Sequence, residues 1–107
     1  MIKLAAPLLA LLTLLPSVSL GDDVGDARKA ELAYFLTQDC GSCHGLTLKG
    51  GLGKPLTPDV LSVFTDEDLL VTILDGRPGT AMPPWRGVIN EAEARYLVRL
   101  LREGGRK

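Results

Sequence analysis

The stretch that decides the fold is "DCGSCHGLTLKGG", residues 39 to 51. It contains both cysteines of the chain, Cys40 and Cys43, and its only histidine, His44. Four kinds of site place two thiols and an imidazole this close together in sequence: a redox disulfide, a metal site, a nucleophile with its base, and an attachment point for haem. The rest of the sequence distinguishes among them.

Three of these four sites fit the sequence poorly. A thioredoxin-type disulfide follows a strand and opens a helix, whereas this pair of cysteines follows a helical pattern with no strands around it. A closed zinc site needs four ligands, and the chain offers two cysteines and one histidine without a second cluster. A histidine that is adjacent in sequence to its cysteine is also poorly placed to act as the base of that cysteine.

The spacing C-x-x-C-H is the attachment signature of c-type haem. Thiols at this spacing can add to the two vinyl groups on one edge of the porphyrin, and the histidine that follows then points its imidazole at the iron from one side. We therefore predict one covalent haem c per chain, attached through Cys40 and Cys43, with His44 as an axial ligand. A thiol oxidoreductase is the alternative, and it requires that no haem is attached to the cysteines.

The second axial ligand is predicted to be Met82. It lies in "RPGTAMPPWRG", residues 77 to 87, and no second histidine is present in the chain. Prolines on its C-terminal side favour an extended backbone, and a thioether opposite an imidazole raises the reduction potential into the range of electron carriers. The alternative is that Met82 only fills a gap in the core. With both axial positions filled, we expect a carrier of single electrons and not an enzyme.

The N-terminal residues have the layout of a secretory signal. A short positive start, Met1 to Lys3, precedes an apolar run over residues 4 to 15 and small residues up to Gly21. We predict a signal peptide over residues 1–21, cleaved near 19–21, and a single periplasmic domain over residues 22–107. The apolar run is shorter than the roughly 20 residues of a membrane span. An uncleaved amphipathic anchor is the alternative.

The remaining sequence is typical of a small all-α domain. No alternating pattern persists long enough for a strand, and the formal net charge of −1 comes with no basic patch for nucleic acid. Apolar residues at helical spacing predict a first helix that ends at Cys40. A further helix start is predicted at Thr57–Pro58, where proline occupies the first helical position. Capping boxes predict two more helix starts, at Thr65–Asp68 and at Asn90–Glu93.

The segments "CGSCHG" and "GTAMPPW", together with the capped C-terminal helix, resemble the single-haem class I cytochrome c family over roughly residues 25 to 104. The resemblance implies crossed N- and C-terminal helices with haem in a cleft between two loops. It implies thioether bonds at Cys40 and Cys43, with His44 as the proximal and Met82 as the distal ligand. It also places Leu36 where the family usually has an aromatic residue packed on the C-terminal helix, opposite Tyr96 or Leu97.

Within that family, "CGSCHGLTLKGGLGKPLTP…TILDGRPGTAMPPW" looks most like the NirC-type (cytochrome c55X) periplasmic cytochromes of denitrifying bacteria. These are encoded with cytochrome cd1 nitrite reductase, so the resemblance implies that this reductase is the redox partner of a monomeric carrier. The alternative is an accessory role in maturation of the reductase, in assembly of haem d1.

The sequence departs from the family after the haem motif. The family commonly has Gly-Pro-x-Leu there, and the proximal imidazole donates a hydrogen bond to the carbonyl of that proline. Here the order is "GKPL", residues 53 to 56. Pro55 is our predicted acceptor, with Gly53 and Lys54 as alternatives. An acceptor is required in any case, because it orients the ring and raises its basicity.

Three residues of the loop over residues 77 to 87, the second loop, have two interpretations each. Arg77 or Arg86 is expected either to bind a haem propionate with its forked donors or to remain solvated. Trp85 is expected either to contact the haem, by packing or by donating its indole N–H to a propionate, or to pack in the protein core.

Overall fold

The structure, a computed structural model, describes residues 2–15 and 24–105. Within those residues it contains helices and loops and no strand, which confirms the all-α prediction. The elements in chain order are α1 (Asp26–Phe35), a π-helical segment (Leu36–Cys40), α2 (Gly41–His44), α3 (Pro58–Leu61), α4 (Asp66–Asp75) and α5 (Glu91–Arg102).

The N-terminal region is described only in part. Residues 2–15 are exposed and form no helix, and the predicted cleavage region at 19–21 lies outside the described residues. None of the helices in the described part of the chain combines the length and apolar character needed to cross a membrane.

The first helix is longer than the sequence predicts. It begins at Asp26 with Gly25 as N-cap. It does not end at Cys40, because the π-helical segment and α2 continue the helix to His44. The two junctions keep right-handed helical dihedrals, with φ −57° and ψ −45° at Leu36 and φ −64° and ψ −23° at Gly41. The cysteines and the histidine therefore lie on one continuous helical rod that includes a wider turn.

The starts of α4 and α5 agree with the sequence, because each is set by a capping box. The Thr65 hydroxyl accepts from the Asp68 N–H at 3.1 Å, and the Asp68 carboxylate accepts from the Thr65 N–H at 2.9 Å. Asn90 and Glu93 repeat the arrangement at 2.8 and 3.0 Å. Each pair satisfies two backbone donors that a helix start would otherwise leave unbonded.

Helix α5 is the centre of the core, and both α1 and α4 pack against it. Leu36 and Leu97 are almost fully buried and belong to the same core cluster, and the expected contact of Leu36 with Tyr96 or Leu97 stays a prediction. At the α1–α5 contact Arg28 pairs with Glu93, and the Lys29 ammonium lies over the Tyr96 ring, 5.7 Å from its centroid.

Arg102 ties the end of α5 to the segment between α3 and α4. Its guanidinium donates to the Leu61 carbonyl at 2.8 Å, to the Phe64 carbonyl at 2.6 Å and to the Asp66 carboxylate at 2.9 Å. One side chain thus satisfies three acceptors that lie between the end of α3 and the start of α4.

Candidate haem-binding site

Both cysteines are free thiols at the C-terminal end of the continuous helical rod. Cys40 closes the π-helical segment and is half-buried, whereas Cys43 lies in α2 and is exposed. Burial, and secondarily the charge of Asp39, raises the pKa of Cys40 to about 11. Before haem is attached, Cys40 is therefore a neutral thiol at neutral pH, packed against the core.

His44 is oriented by a hydrogen bond from its ring to the following loop. Its Nδ1 lies 2.7 Å from the Lys54 carbonyl oxygen. A carbonyl oxygen can only accept, so Nδ1 carries a proton, and in the neutral imidazole Nε2 is the nitrogen with the lone pair. This corrects the prediction of Pro55 as acceptor, since the carbonyl facing the ring belongs to the residue before the proline. In "GKPL", the acceptor is therefore the residue directly before the proline and not the proline itself.

The loop over residues 45–56 is bound to the backbone of the haem motif. The Gly50 N–H donates to the His44 carbonyl at 2.8 Å, and the Gly53 N–H donates to the Cys43 carbonyl at 2.7 Å. Gly53 also lies directly against the imidazole, because a Cβ built there would be 2.7 Å from both Cε1 and Nδ1 of His44. The ring is thus held by one hydrogen bond and by close contact with a residue that has no side chain.

Met82 is half-buried in the second loop, and its backbone is held on both sides. Its carbonyl accepts from the Arg77 N–H at 3.2 Å, and its N–H donates to the Thr80 hydroxyl at 3.3 Å. Further along, the Trp85 N–H donates to the Ile73 carbonyl at 3.1 Å. The second loop is therefore attached to the C-terminal turn of α4.

Arg86 and Trp85 have partners within the protein that the sequence did not reveal. Arg86 forms a two-pronged ion pair with Asp75, at 2.8 and 3.0 Å, and its hydrogen bonds lower the pKa of that carboxyl group. The Trp85 ring packs edge-on against Phe35, with centroids 5.0 Å apart and planes at 84°. Arg77 is exposed. The Arg86–Asp75 pair joins residues 11 apart across a loop, so no helical periodicity signals it.

The donor set fits a covalent haem. Two free thiols lie at the attachment spacing, followed by an imidazole with an available Nε2. A porphyrin also needs apolar walls, and several large apolar side chains lie at the edge of the core only partly buried: Phe35, Leu56, Phe64, Ile73 and Trp85. Cys40 and Cys43 would hold the porphyrin edge, and His44 and Met82 would provide the axial ligands.

Comparison with known proteins gives consistent matches. Residues 26–101 match the family model described as cytochrome c oxidase, cbb3-type, subunit III. Cytochrome c55X of Pseudomonas aeruginosa is 52% identical over 97 residues, which are 90% of this chain and 82% of that protein. The solved structure of c-type cytochrome NirC is 51% identical with a TM-score of 0.74, over 76% of this chain and 95% of the NirC chain.

A more distant match is to part of a larger protein. Dihydro-heme d1 dehydrogenase of Pseudomonas aeruginosa is 39% identical over 78 residues, which are 73% of this chain but only 16% of the dehydrogenase. The similarity therefore concerns one small segment of that protein.

These matches and the geometry of the site agree on the class of cofactor. The relatives that match over most of their own length are c-type cytochromes, whose haem is bound covalently. The attachment motif, the oriented histidine and partly buried apolar side chains at the edge of the core are all present in this structure. The chain, which carries haem c, therefore belongs to the family of monohaem c-type cytochromes and, within it, to the NirC-type or cytochrome c55X group.

Proposed function

We propose that the protein is a periplasmic carrier of single electrons whose haem iron is coordinated by His44 and Met82. The observation that carries this proposal is the state of His44, which donates from Nδ1 to the Lys54 carbonyl at 2.7 Å and so presents Nε2 to the iron. Met82 supports it as the one methionine of the described residues, with its backbone bound on both sides. With imidazole and thioether in place, the iron has no open position for a substrate.

Haem supplies a reversible one-electron couple. The protein sets the reduction potential of the iron and determines which edge of the porphyrin a partner can reach. The Lys54 carbonyl raises the basicity of the imidazole, which favours the oxidised iron, whereas a thioether opposite it favours the reduced iron. Cys43 is exposed, so the porphyrin edge attached to it would be reachable from solvent. A partner protein would exchange electrons at that edge.

Absorption spectra of purified holoprotein test the ligation. We expect sharp low-spin bands in the reduced form and a weak sulfur-to-iron band in the oxidised form. Met82→Leu keeps an apolar side chain of similar size but removes the sulfur, so it should abolish that band and lower the reduction potential. Val88→Leu, an exposed apolar position in the same region, is the matched control. A high-spin spectrum of the wild type would overturn the ligation.

We infer that the carrier serves denitrification and that its partner is cytochrome cd1 nitrite reductase. The similarity to cytochrome c55X over most of both chains supports this inference. Stopped-flow mixing of the reduced cytochrome with oxidised reductase should show electron exchange at micromolar concentration. The Met82→Leu protein is the control with an altered potential. Absence of exchange with the reductase, under conditions where small-molecule oxidants react, would contradict the partner.

A role in maturation of the reductase is the second candidate. It is favoured by the similarity to a segment of dihydro-heme d1 dehydrogenase, whose name places that relative in haem d1 chemistry. Deletion of the gene distinguishes the two functions. A strain that keeps fully haem-loaded nitrite reductase, active in lysate but short of electrons in whole cells, indicates electron delivery. A strain whose reductase lacks haem d1 indicates maturation.

We propose export with removal of residues 1–21. The apolar run at residues 4–15 supports this proposal, because its length suits a signal and is too short for a span. The intact mass of haem-loaded protein from the periplasm should correspond to a chain that begins between residues 20 and 22. A mass that includes the whole N-terminal run would show that the segment is retained.

A further inference from the structure

The C-terminal end of α4 approaches the predicted distal ligand at a single glycine. Gly76 follows the last residue of α4, is buried, and has φ of +68°. A Cβ built there would lie 2.6 Å from the Met82 carbonyl oxygen, 2.8 Å from the Pro83 carbonyl carbon and 2.9 Å from the Pro84 nitrogen. All three atoms are backbone, so the contact cannot be relieved by rotating a side chain.

Hydrogen bonds attach the stretch that follows this glycine to the last turn of α4. We call residues 77–87 the Met82 loop. The Trp85 N–H and the Arg86 N–H donate to the Ile73 and Leu74 carbonyls of α4, each at 3.1 Å, and within the loop the Arg77 N–H donates to the Met82 carbonyl at 3.2 Å. The Asp75–Arg86 ion pair joins the helix end to the loop a second time. The backbone of Met82 is therefore placed by α4 and not by its own loop alone.

We propose that Gly76 is a positioning residue for the distal ligand, because its missing side chain allows the backbone of Met82 to lie against the end of α4. An alanine there would require the two segments to separate by about 0.8 Å to reach an ordinary contact of 3.4 Å. A displacement of that order is enough to lengthen or break a bond between sulfur and iron. The proposal rests on the proposed function, in which Met82 is the axial ligand.

A second glycine of the same loop provides a matched control. Gly79 also has a positive φ, of +78°, so alanine there also adds backbone strain, but a Cβ at Gly79 would have no atom within 4 Å. Gly76→Ala and Gly79→Ala therefore both place an alanine at positive φ, and only the first puts a Cβ against the backbone of Met82.

The first experiment compares wild type, Gly76→Ala and Gly79→Ala as purified holoproteins. Intact mass and far-ultraviolet circular dichroism establish that haem is attached and that the helices are formed. We expect Gly76→Ala to lose or weaken the sulfur-to-iron band, to have a lower reduction potential, and to bind added imidazole on the order of tenfold more tightly. Gly79→Ala should resemble the wild type. Equal behaviour of the two variants would overturn the proposal.

A milder pair of variants covers the case in which Gly76→Ala does not fold. Arg86→Gln removes the ion pair between the loop and Asp75, whereas Arg95→Gln removes exposed ion pairs of α5 with Glu67 and Glu91 that include no residue of the loop. Arg86→Gln should increase the affinity for imidazole by up to about fivefold, as expected for an exposed ion pair. Arg95→Gln should leave that affinity unchanged. Equal imidazole affinity in both variants would contradict the positioning of Met82 by α4.

The outcomes separate this inference from the function on which it rests. If the wild type lacks the sulfur-to-iron band, then the assignment of Met82 as ligand fails, and the inference fails with it. If the wild type shows the band and Gly76→Ala keeps it at an unchanged potential, then the ligation stands and only the role of Gly76 is rejected.

Discussion

Single residues set the orientation of the His44 imidazole. Its Nδ1 donates to the Lys54 carbonyl at 2.7 Å, and the backbone of Gly53 lies against the ring. Both contacts come from the loop over residues 45–56, which is itself bound to the carbonyls of Cys43 and His44. The motif therefore provides the proposed ligand, and the loop after it determines which ring nitrogen of His44 donates and how the ring is oriented.

Gly53→Ala should displace the imidazole and weaken its hydrogen bond to the Lys54 carbonyl. A less basic imidazole stabilises the oxidised iron less, so we expect the reduction potential to rise. The measurement is a redox titration of the holoprotein. Gly87→Ala, where an added Cβ meets no atom within 4 Å, is the control and should keep the wild-type potential. An unchanged potential in Gly53→Ala would contradict this role of the glycine.

At the scale of elements, the helices are defined by their ends and by the contacts among α1, α4 and α5. The capping boxes start α4 and α5, and the π-helical segment changes the helical phase just before the haem motif. A π-helical turn inserts an extra residue per turn and is often found near functional sites. Here it brings Cys40 to the half-buried position from which its thiol would reach the porphyrin.

Acid should weaken the contact between α1 and α5. The hydrogen bond from Arg28, and secondarily the one from the Asn90 N–H, lowers the pKa of Glu93 from its ordinary 4.5. The unfolded chain therefore binds more protons in this range, and the stabilisation is complete above pH 4.5 and lost as the pH falls through the lowered pKa. Glu93→Gln should reduce the free energy of unfolding at neutral pH and make its decline in acid shallower.

Guanidinium denaturation of the holoprotein at neutral and acid pH measures this effect. Glutamine at position 93 can still complete the capping box, so the variant mainly removes the charge opposite Arg28. Glu103→Gln, an exposed carboxyl group beyond α5, is the control. If both variants have the acid dependence of the wild type, then the pair with Arg28 does not contribute to acid stability.

Arg102→Lys should loosen the α3–α4 segment from α5. Lysine keeps the charge but cannot reach the Leu61 and Phe64 carbonyls and the Asp66 carboxylate with one planar fork. We expect a loss of about 1–3 kcal/mol in the free energy of unfolding, typical of hydrogen bonds to a charged group. Arg95→Lys, on the exposed side of α5, should cost less than about 1 kcal/mol. Equal losses in thermal or guanidinium unfolding would contradict this difference.

At the scale of the whole molecule, the core is small. Its largest fully buried side chains, Leu32, Leu36, Leu61 and Leu97, belong to the helices, whereas several large apolar side chains at its edge are only partly buried. Domains of this size bury a modest fraction of their surface and often depend on a bound group for stability. The haem is thus expected to complete the core as well as to carry the electron.

Preventing attachment should therefore unfold much of the domain. The variant Cys40→Ser/Cys43→Ser retains His44 and Met82 but cannot form thioether bonds, so haem would be held only by coordination. We expect low helical circular dichroism and rapid proteolysis compared with the holoprotein. Met82→Leu, which keeps both attachment sites, should retain its helices. A fully helical, protease-resistant double variant would show that the protein core is sufficient by itself.

The sequence alone determined the features that depend on neighbours along the chain. The haem motif and the capping boxes at Thr65 and Asn90 follow from residues within about one helical turn of each other. The all-α fold and the covalent haem followed from these, and the family comparisons support both. The axial ligation by His44 and Met82 stays a prediction that the proposed spectra would test.

Only the tertiary structure decided which distant groups meet. The acceptor for His44 is the Lys54 carbonyl and not that of Pro55, Arg86 binds Asp75, and Gly76 touches the backbone of Met82. Each of these contacts depends on how a loop closes, and loop closure is governed by the sum of many backbone hydrogen bonds and close contacts. Local residue preferences do not encode that sum, so such pairings become visible only when the whole chain is folded.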